Sequence, residues 1–175
     1  SLSRRMCIRD RNKIRVNFHC CTMPRGWNRT WPNLVSMEAV RGAESYGFDS
    51  LYTENAVWHN TILPFTRNVI GSMDYTPVTF SNQKFPHKTS FGHELALSIV
   101  FESGILHFAD NCETYSSLPE APKNFIKTVP VTWDSTLLLV GYPGKDCVMA
   151  RKSGDTWFIG GINGTNEKLS WEIDL

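Results

Sequence analysis

Apolar positions along the chain fall into two regimes. Up to about residue 130 they form short runs separated by long polar stretches rich in Pro and Gly, and beyond it they form β-like runs divided by tight turns. In IRVNFH, residues 14–19, Ile14, Val16 and Phe18 alternate with polar neighbours and the run ends at His19, as in a short strand. The loop CCTMPRGWNRTWPN follows, and LVSMEAV, residues 34–40, predicts a second strand. Residues 41–55 are polar and read as a loop. Residues 56–70 predict a helix that Pro64 opens or kinks, with Gly71 in the position after its end. GSMDYTPVTF, residues 71–80, predicts a third strand-like run whose pairing ends at Pro77. After another loop, residues 91–109 predict a long helix with Ser90 as its N-cap and Leu95, Ile99 and Leu106 near one face. A shorter helix over 119–128 stops before Pro130. Runs at 131–140, 146–151, 156–162 and 168–174, with turns such as Tyr142-Pro143-Gly144 and Ser153-Gly154-Asp155, predict an antiparallel meander.

This order reads as α/β followed by all-β, with a domain boundary near residue 130. A parallel sheet needs both faces covered, so three parallel strands do not make a fold alone. The expected architecture is the C-terminal part of a (β/α)8 barrel over residues 13–129, then a partial antiparallel β-sandwich domain over 130–175, the chain being a piece of a longer protein. Hydrophobic content of 41% with 20% charge fits an ordered globular chain rather than a disordered one. Residues 1–12, SLSRRMCIRDRN, lack both periodicity and the apolar core of a signal peptide. They read as a basic leader foreign to the rest, against the plainer alternative of a solvated helix end. Over residues 1–13, Arg4, Arg5, Arg9, Arg11 and Lys13 against Asp10 give +4, so a net charge of +1 leaves −3 for the remainder. That balance argues against a nucleic-acid surface. No apolar run reaches the ~18–20 residues of a membrane span. Five cysteines without framework spacing read as free thiols, and the adjacent Cys20 and Cys21 make no zinc motif.

Candidate chemistry centres on NLVSMEAVRGAE, residues 33–44, an apolar run that leads into Glu38 and Glu44. Barrels place catalytic carboxylates at the C-terminal ends of strands; on the residues alone, solvated loop carboxylates are the competing reading. His19 at a strand end is either a satisfied polar group or a substrate contact. Trp27 and Trp31 either wall a pocket or pack, and Arg29 beside them can bind hydroxyls. Asp74 either lines the pocket or makes structural hydrogen bonds. His59, His87, His93 and His107 lack ligand spacing.

Three blocks, HCCTMPRGWNRTWPNLVSMEAVRGAE, WHNTILPFTRNVIGSMDYTPVTFS and GHELALSIVFESGILHFAD, resemble glycoside hydrolase family 97, which contains α-glucosidases and α-galactosidases. The later VTWDSTLLLVGYPGKDCVMARKSGDTWFIGGING looks like that family's C-terminal β-domain, often described as an oligomerisation domain. The resemblance covers residues 14–175. It implies that IRVNFH, NLVSMEAV and GSMDYTP are the last three barrel strands and that the helix at 91–109 is the final barrel helix. It carries a calcium ligand onto Glu38 and the proton donor onto Glu44, with Glu44 also contributing to the Ca2+ site. His19, Arg29 and Trp31 become substrate contacts for an α-linked oligosaccharide. Inverting members have Glu after the strand-end His, as general base; retaining members have Gly there and an Asp nucleophile on an earlier strand. Cys20 occupies that position here, and the missing Glu favours retention. The resemblance thus implies a retaining exo-α-glycosidase, α-galactosidase ahead of α-glucosidase, periplasmic or secreted, with homo-oligomerisation through the β-domain. The chain alone is expected to be inactive. The rival readings are an inverting α-glucosidase with a substituted base, and a non-catalytic piece serving association or sugar binding.

Overall fold

The computed structural model describes residues 2–173. In chain order these form α1 (Leu2–Arg11), β1 (Val16–Phe18), α2 (Trp27–Thr30), β2 (Leu34–Met37), α3 (Ser50–Ile62), α4 (Phe91–Val100), α5 (Cys112–Ser117), α6 (Glu120–Thr128), β3 (Ser135–Tyr142), β4 (Asp146–Ser153) and β5 (Thr156–Asn163), with short 3-10 turns at Ala43–Gly47, Leu63–Phe65 and Asn68–Ile70. The expected order of α/β followed by antiparallel β is what the chain adopts.

β1 and β2 pair in parallel, with Val16 opposite Leu34 and Phe18 opposite Met37. The third run joins them through a single parallel bridge, Met37 to Met73, not as a strand. Its pairing stops early because the backbone turns left-handed at Thr76 (φ 56°) and Val78 (φ 66°), where no ladder continues. A fourth segment lies beside it. The Met73 N–H donates to Glu102 O (3.0 Å) and the Ala109 N–H to Pro77 O (3.4 Å), so 102–109 runs in the same direction as 73–77.

That fourth segment corrects the long helix expected over 91–109. α4 ends at Val100, and Phe101 is already extended (φ −91°, ψ 129°). Asn68 draws the next residue out of the helix by accepting the Glu102 N–H at 2.7 Å. At Gly104 an added Cβ would stand 2.5 Å from Val35 O, so the segment packs against β2 too closely for a side chain. α3 also begins earlier than the polar composition of 41–55 predicts. Asp49 caps it by accepting the Tyr52 N–H at 3.0 Å. α5 is an element the sequence pattern did not predict; Asn111 caps it in the same way.

β3, β4 and β5 form an antiparallel meander in that order. The fourth run expected over 168–174 is not a strand at residues 168–173, and residue 174 lies outside the described residues. Trp171 there folds back instead, its Nε1 donating to Asp146 Oδ2 at 3.3 Å.

One buried cluster joins the two regimes of the sequence. Ala43, Tyr46, Tyr52, Ala56, Leu97 and Phe101 share it with Cys147 of β4 and Ile162 of β5. Arg151 of β4 reaches across, donating from Nε to Ile99 O (2.6 Å) and from Nη2 to Val100 O (3.2 Å), which satisfies carbonyls left open where α4 ends. Burial lowers the pKa of that guanidinium, against the pull of Glu102 and Cys147. A second cluster gathers Met6, Val16, Leu34 and Met37, so α1 buries one methionine completely against the strands.

Candidate functional site

β1 and β2 deliver their functional residues at their ends. β1 leads into His19 and β2 into Glu38, and both chains then turn sharply. Cys20 (φ 46°) and Ala39 (φ 42°), the residues directly after them, are left-handed. A non-glycine residue held there costs of order 1–3 kcal/mol and persists only where its surroundings impose it. Arg67 is the surrounding that does so for β2. Its buried guanidinium donates to Met37 O (2.7 Å), Glu38 O (3.1 Å), Gly71 O (2.8 Å) and Ser72 O (3.1 Å), clamping the end of β2 to the third segment. At β1 the Cys20 N–H donates to Glu38 Oε2, tying the two strand ends together.

His19 is where the carboxylates meet. Its Nε2 lies 3.1 Å from Glu44 Oε2 and 3.5 Å from Glu38 Oε1, and its Nδ1 lies 3.3 Å from Asp74 Oδ2. Burial by itself would lower the His19 pKa. The hydrogen bond to Asp74 and the charges of Glu38 and Glu44 outweigh it, and the net shift is upward. For Asp74, burial pushes upward, but hydrogen bonds from Asn17, His107 and His19 win and its pKa falls below the usual carboxylate value. Asp74 is therefore a buried acceptor with both oxygens engaged: Oδ1 by His107 Nδ1 at 3.0 Å, Oδ2 by Asn17 and His19.

The three carboxylates differ in access. The side chain of Asp74 is 2% exposed, that of Glu38 11% and that of Glu44 42%. Only Glu44 can present its oxygens freely to a bound molecule. It rides on the 3-10 turn Ala43–Gly47, seated by the Ala43 N–H donating to Tyr75 O at 2.9 Å.

His19, Cys20 and Glu38 bring one ligand atom each within 4.8 Å of one another. A thiol and an imidazole do not suit calcium, which takes oxygen ligands, six to eight of them. The carboxylates of Glu38 and Glu44, both close to His19 Nε2, are oxygen donors of the kind calcium takes.

The structure thus brings His19, Glu38 and Glu44 together. Arg29 is elsewhere, exposed on the wall of a cavity of about 490 Å3 lined by Pro24, Arg25, Asn28, Val69 and Ile70. Trp31, like Trp27, packs against the cluster of Met6, Val16, Leu34 and Met37. Neither Arg29 nor Trp31 is hydrogen-bonded to the carboxylates. Asn17 and His107 joined the site without a signal in the sequence, since spacing says nothing about pairs 57 and 33 residues from Asp74.

Residues 132–175 match the family model described as "Glycosyl-hydrolase 97 C-terminal, oligomerisation". A "Probable retaining alpha-galactosidase" from Streptomyces bingchenggensis is 47% identical over 146 residues, which is 83% of this chain and 22% of that protein. A "Retaining alpha-galactosidase" from Bacteroides thetaiotaomicron is 34% identical over 160 residues, 86% of this chain and 24% of that one. Among solved structures, a beta-arabinopyranosidase superposes with a TM-score of 0.91 at 32% identity, covering 97% of this chain and 28% of the other. A family 97 enzyme from Pseudoalteromonas sp. strain K8 in complex with acarbose superposes with a TM-score of 0.83 at 28% identity, covering 93% and 26%. The chain therefore spans about a quarter of the length of these relatives. The class these likenesses define is the glycoside hydrolases. Within it, the chain belongs to family 97, and residues 132–175 are the C-terminal domain of that family.

Proposed function

We propose that this chain supplies the proton-donor side of the active site of a retaining exo-α-galactosidase. The observation that carries the reading is Glu44, the one exposed carboxylate of the cluster, with its oxygen 3.1 Å from His19 Nε2. A glycosidase acid must reach the leaving oxygen and must be able to exchange a proton. The access of Glu44 supports the first need, and His19 Nε2, 3.1 Å away, is a partner with which it can exchange a proton. Asp74 does not fit the second carboxyl role, because both its oxygens are engaged and buried. The nucleophile is assigned to an Asp outside this chain. Cys20, where inverting members carry the base, and the two relatives named as retaining α-galactosidases support retention over inversion.

The four consecutive parallel segments support a barrel. Ser36 of β2 meets Ser103 of the fourth segment at 3.0 Å, and Asn17 of β1 meets Asp74 of the third, so alternate segments touch as they do in the layers of a (β/α)8 interior. We assign Glu38 and Glu44 as part of a calcium site. Bound there, the ion would supply positive charge next to the sugar; Glu38 would be held for it by the Cys20 N–H, while Glu44 and His19 handle the proton.

A second reading comes from the arabinopyranosidase likeness. A β-L-arabinopyranosyl unit has the ring hydroxyl arrangement of an α-D-galactosyl unit without the C6 hydroxymethyl, so one pocket can serve both. The test is turnover of aryl α-galactoside, α-glucoside and β-L-arabinopyranoside by the full-length protein, with the first product followed by NMR. A retained α-galactose product is expected, and an inverted one sinks the reading. Faster turnover of the arabinoside selects the second reading.

A further inference from the structure

We propose that His107 binds the terminal sugar, accepting a hydrogen bond from one of its hydroxyls through Nε2; the proposal rests on the glycosidase reading above. His107 stands on the fourth segment, which the Ala109 N–H to Pro77 O bond holds beside the third. Its Nδ1 lies 3.0 Å from Asp74 Oδ1. A carboxylate only accepts, so the proton of that bond belongs to Nδ1. In the neutral ring the lone pair is then at Nε2, which bonds nothing among the described residues. The side chain is 47% exposed, while the carboxylate that aims it is 2% exposed.

The same carboxylate also holds His19, through its other oxygen. One buried Asp therefore displays two imidazoles. One points its Nε2 at Glu44 and Glu38, and the other leaves its Nε2 open. An exposed histidine with only a structural task has no need of a buried ionic partner that also fixes the neighbour of the proton donor. With its tautomer and ring orientation set in advance, His107 loses little freedom when a hydroxyl arrives, as suits a group that reads a sugar. Asp74 is then the positioning residue for both rings.

The experiment uses the full-length protein, as wild type, His107→Ala and His107→Gln, on 4-nitrophenyl α-galactoside and its 2-, 3-, 4- and 6-deoxy analogues. His107→Ala is expected to lose about tenfold in kcat/KM on the parent glycoside, the scale of one uncharged hydrogen bond. On the one analogue that lacks the recognised hydroxyl, that loss shrinks to about onefold. Equal losses on all five substrates, or none on the parent, overturn the proposal and leave the glycosidase reading standing. A wild type that turns over no aryl glycoside sinks the reading and the proposal together. Should His107→Ala fail to fold by its thermal melt, the same ratios are read on His107→Gln, whose amide oxygen keeps part of the bond on the parent and nothing on the analogue.

Discussion

Gly42 lies so close to the Tyr75 carbonyl that a Cβ on it would sit well inside van der Waals contact with the oxygen. The same oxygen accepts the Ala43 N–H at 2.9 Å. Space, not backbone angle, demands the glycine, because its φ of −91° suits any residue. Gly42→Ala should push the Ala43–Gly47 turn off the third segment and carry Glu44 with it. We expect a stability loss of about 1–3 kcal/mol, as for other forced overpacking, and a larger proportional fall in activity. Urea unfolding and kcat/KM measured on the same preparation check both.

Glu44→Gln should remove the proton donor while keeping the shape of the site. The expected fall in kcat/KM is about 10²–10⁴-fold for alkyl galactosides, whose leaving oxygen needs the proton. For 2,4-dinitrophenyl galactoside, whose leaving group departs unprotonated, the loss should be much smaller. A series of leaving groups of graded acidity separates the two, and an equal loss across the series would contradict the assignment.

Arg67→Met should leave the carbonyls of Met37, Glu38, Gly71 and Ser72 without the donor they share. Met37 O also accepts the Asp74 N–H, Ser72 O the Met37 N–H and Gly71 O the Asn68 side chain, so Glu38 O is the acceptor left open. Such a loss costs about 1–3 kcal/mol, and the variant should be destabilised by at least that. Lysine should not rescue it, since an ammonium on a flexible stem cannot copy the planar fork. Thermal melts of the three proteins report this directly.

Asp110 predicts an acid limit to stability. It accepts from the Phe80 N–H (2.6 Å), the Ser81 N–H (2.7 Å), the Ser81 hydroxyl (2.6 Å) and the Asn111 N–H (2.8 Å). Burial raises its pKa, but these donors outweigh burial and the net shift is below 3.8. A depressed pKa stabilises the fold above the unfolded value, and the contribution is lost as pH falls through the folded one. Asp110→Asn should therefore be less stable than wild type at pH 7, by about 1–3 kcal/mol, and the difference should narrow below about pH 4. Urea midpoints from pH 3 to 7 test the sign.

How much of this the chain announces depends on distance along it. Both strands carrying His19 and Glu38 were legible because alternation of apolar residues is a local signal, and the matching blocks carried Glu44 with them. The helix expected over 91–109 overshoots because FESGILHFA continues the apolar spacing of α4, while what ends the helix is Asn68, 34 residues before Glu102. Asp49, the cap of α3, sits among polar residues that mask the start of the helix. The sequence leaves Asp74 as either a pocket residue or a structural hydrogen-bonding group and names no partner for it. Its partners Asn17, His19 and His107 come from three other segments, and only the folded chain puts them around it.

The β-meander holds none of the site's carboxylates, and its family description concerns association. Yet Arg151 finishes the C-terminal end of α4, and Cys147 and Ile162 complete the cluster that contains Tyr46 and Ala43, the neighbours of Glu44. Damage to the meander's inner face will therefore register as lost turnover. In a random-mutagenesis screen scored by colour, substitutions at Arg151 or Ile162 and substitutions in the pocket will look alike. A melting curve will tell them apart: pocket substitutions such as Glu44→Gln are expected to cut turnover without loosening the protein, whereas the sheet variants loosen first and lose turnover as a result.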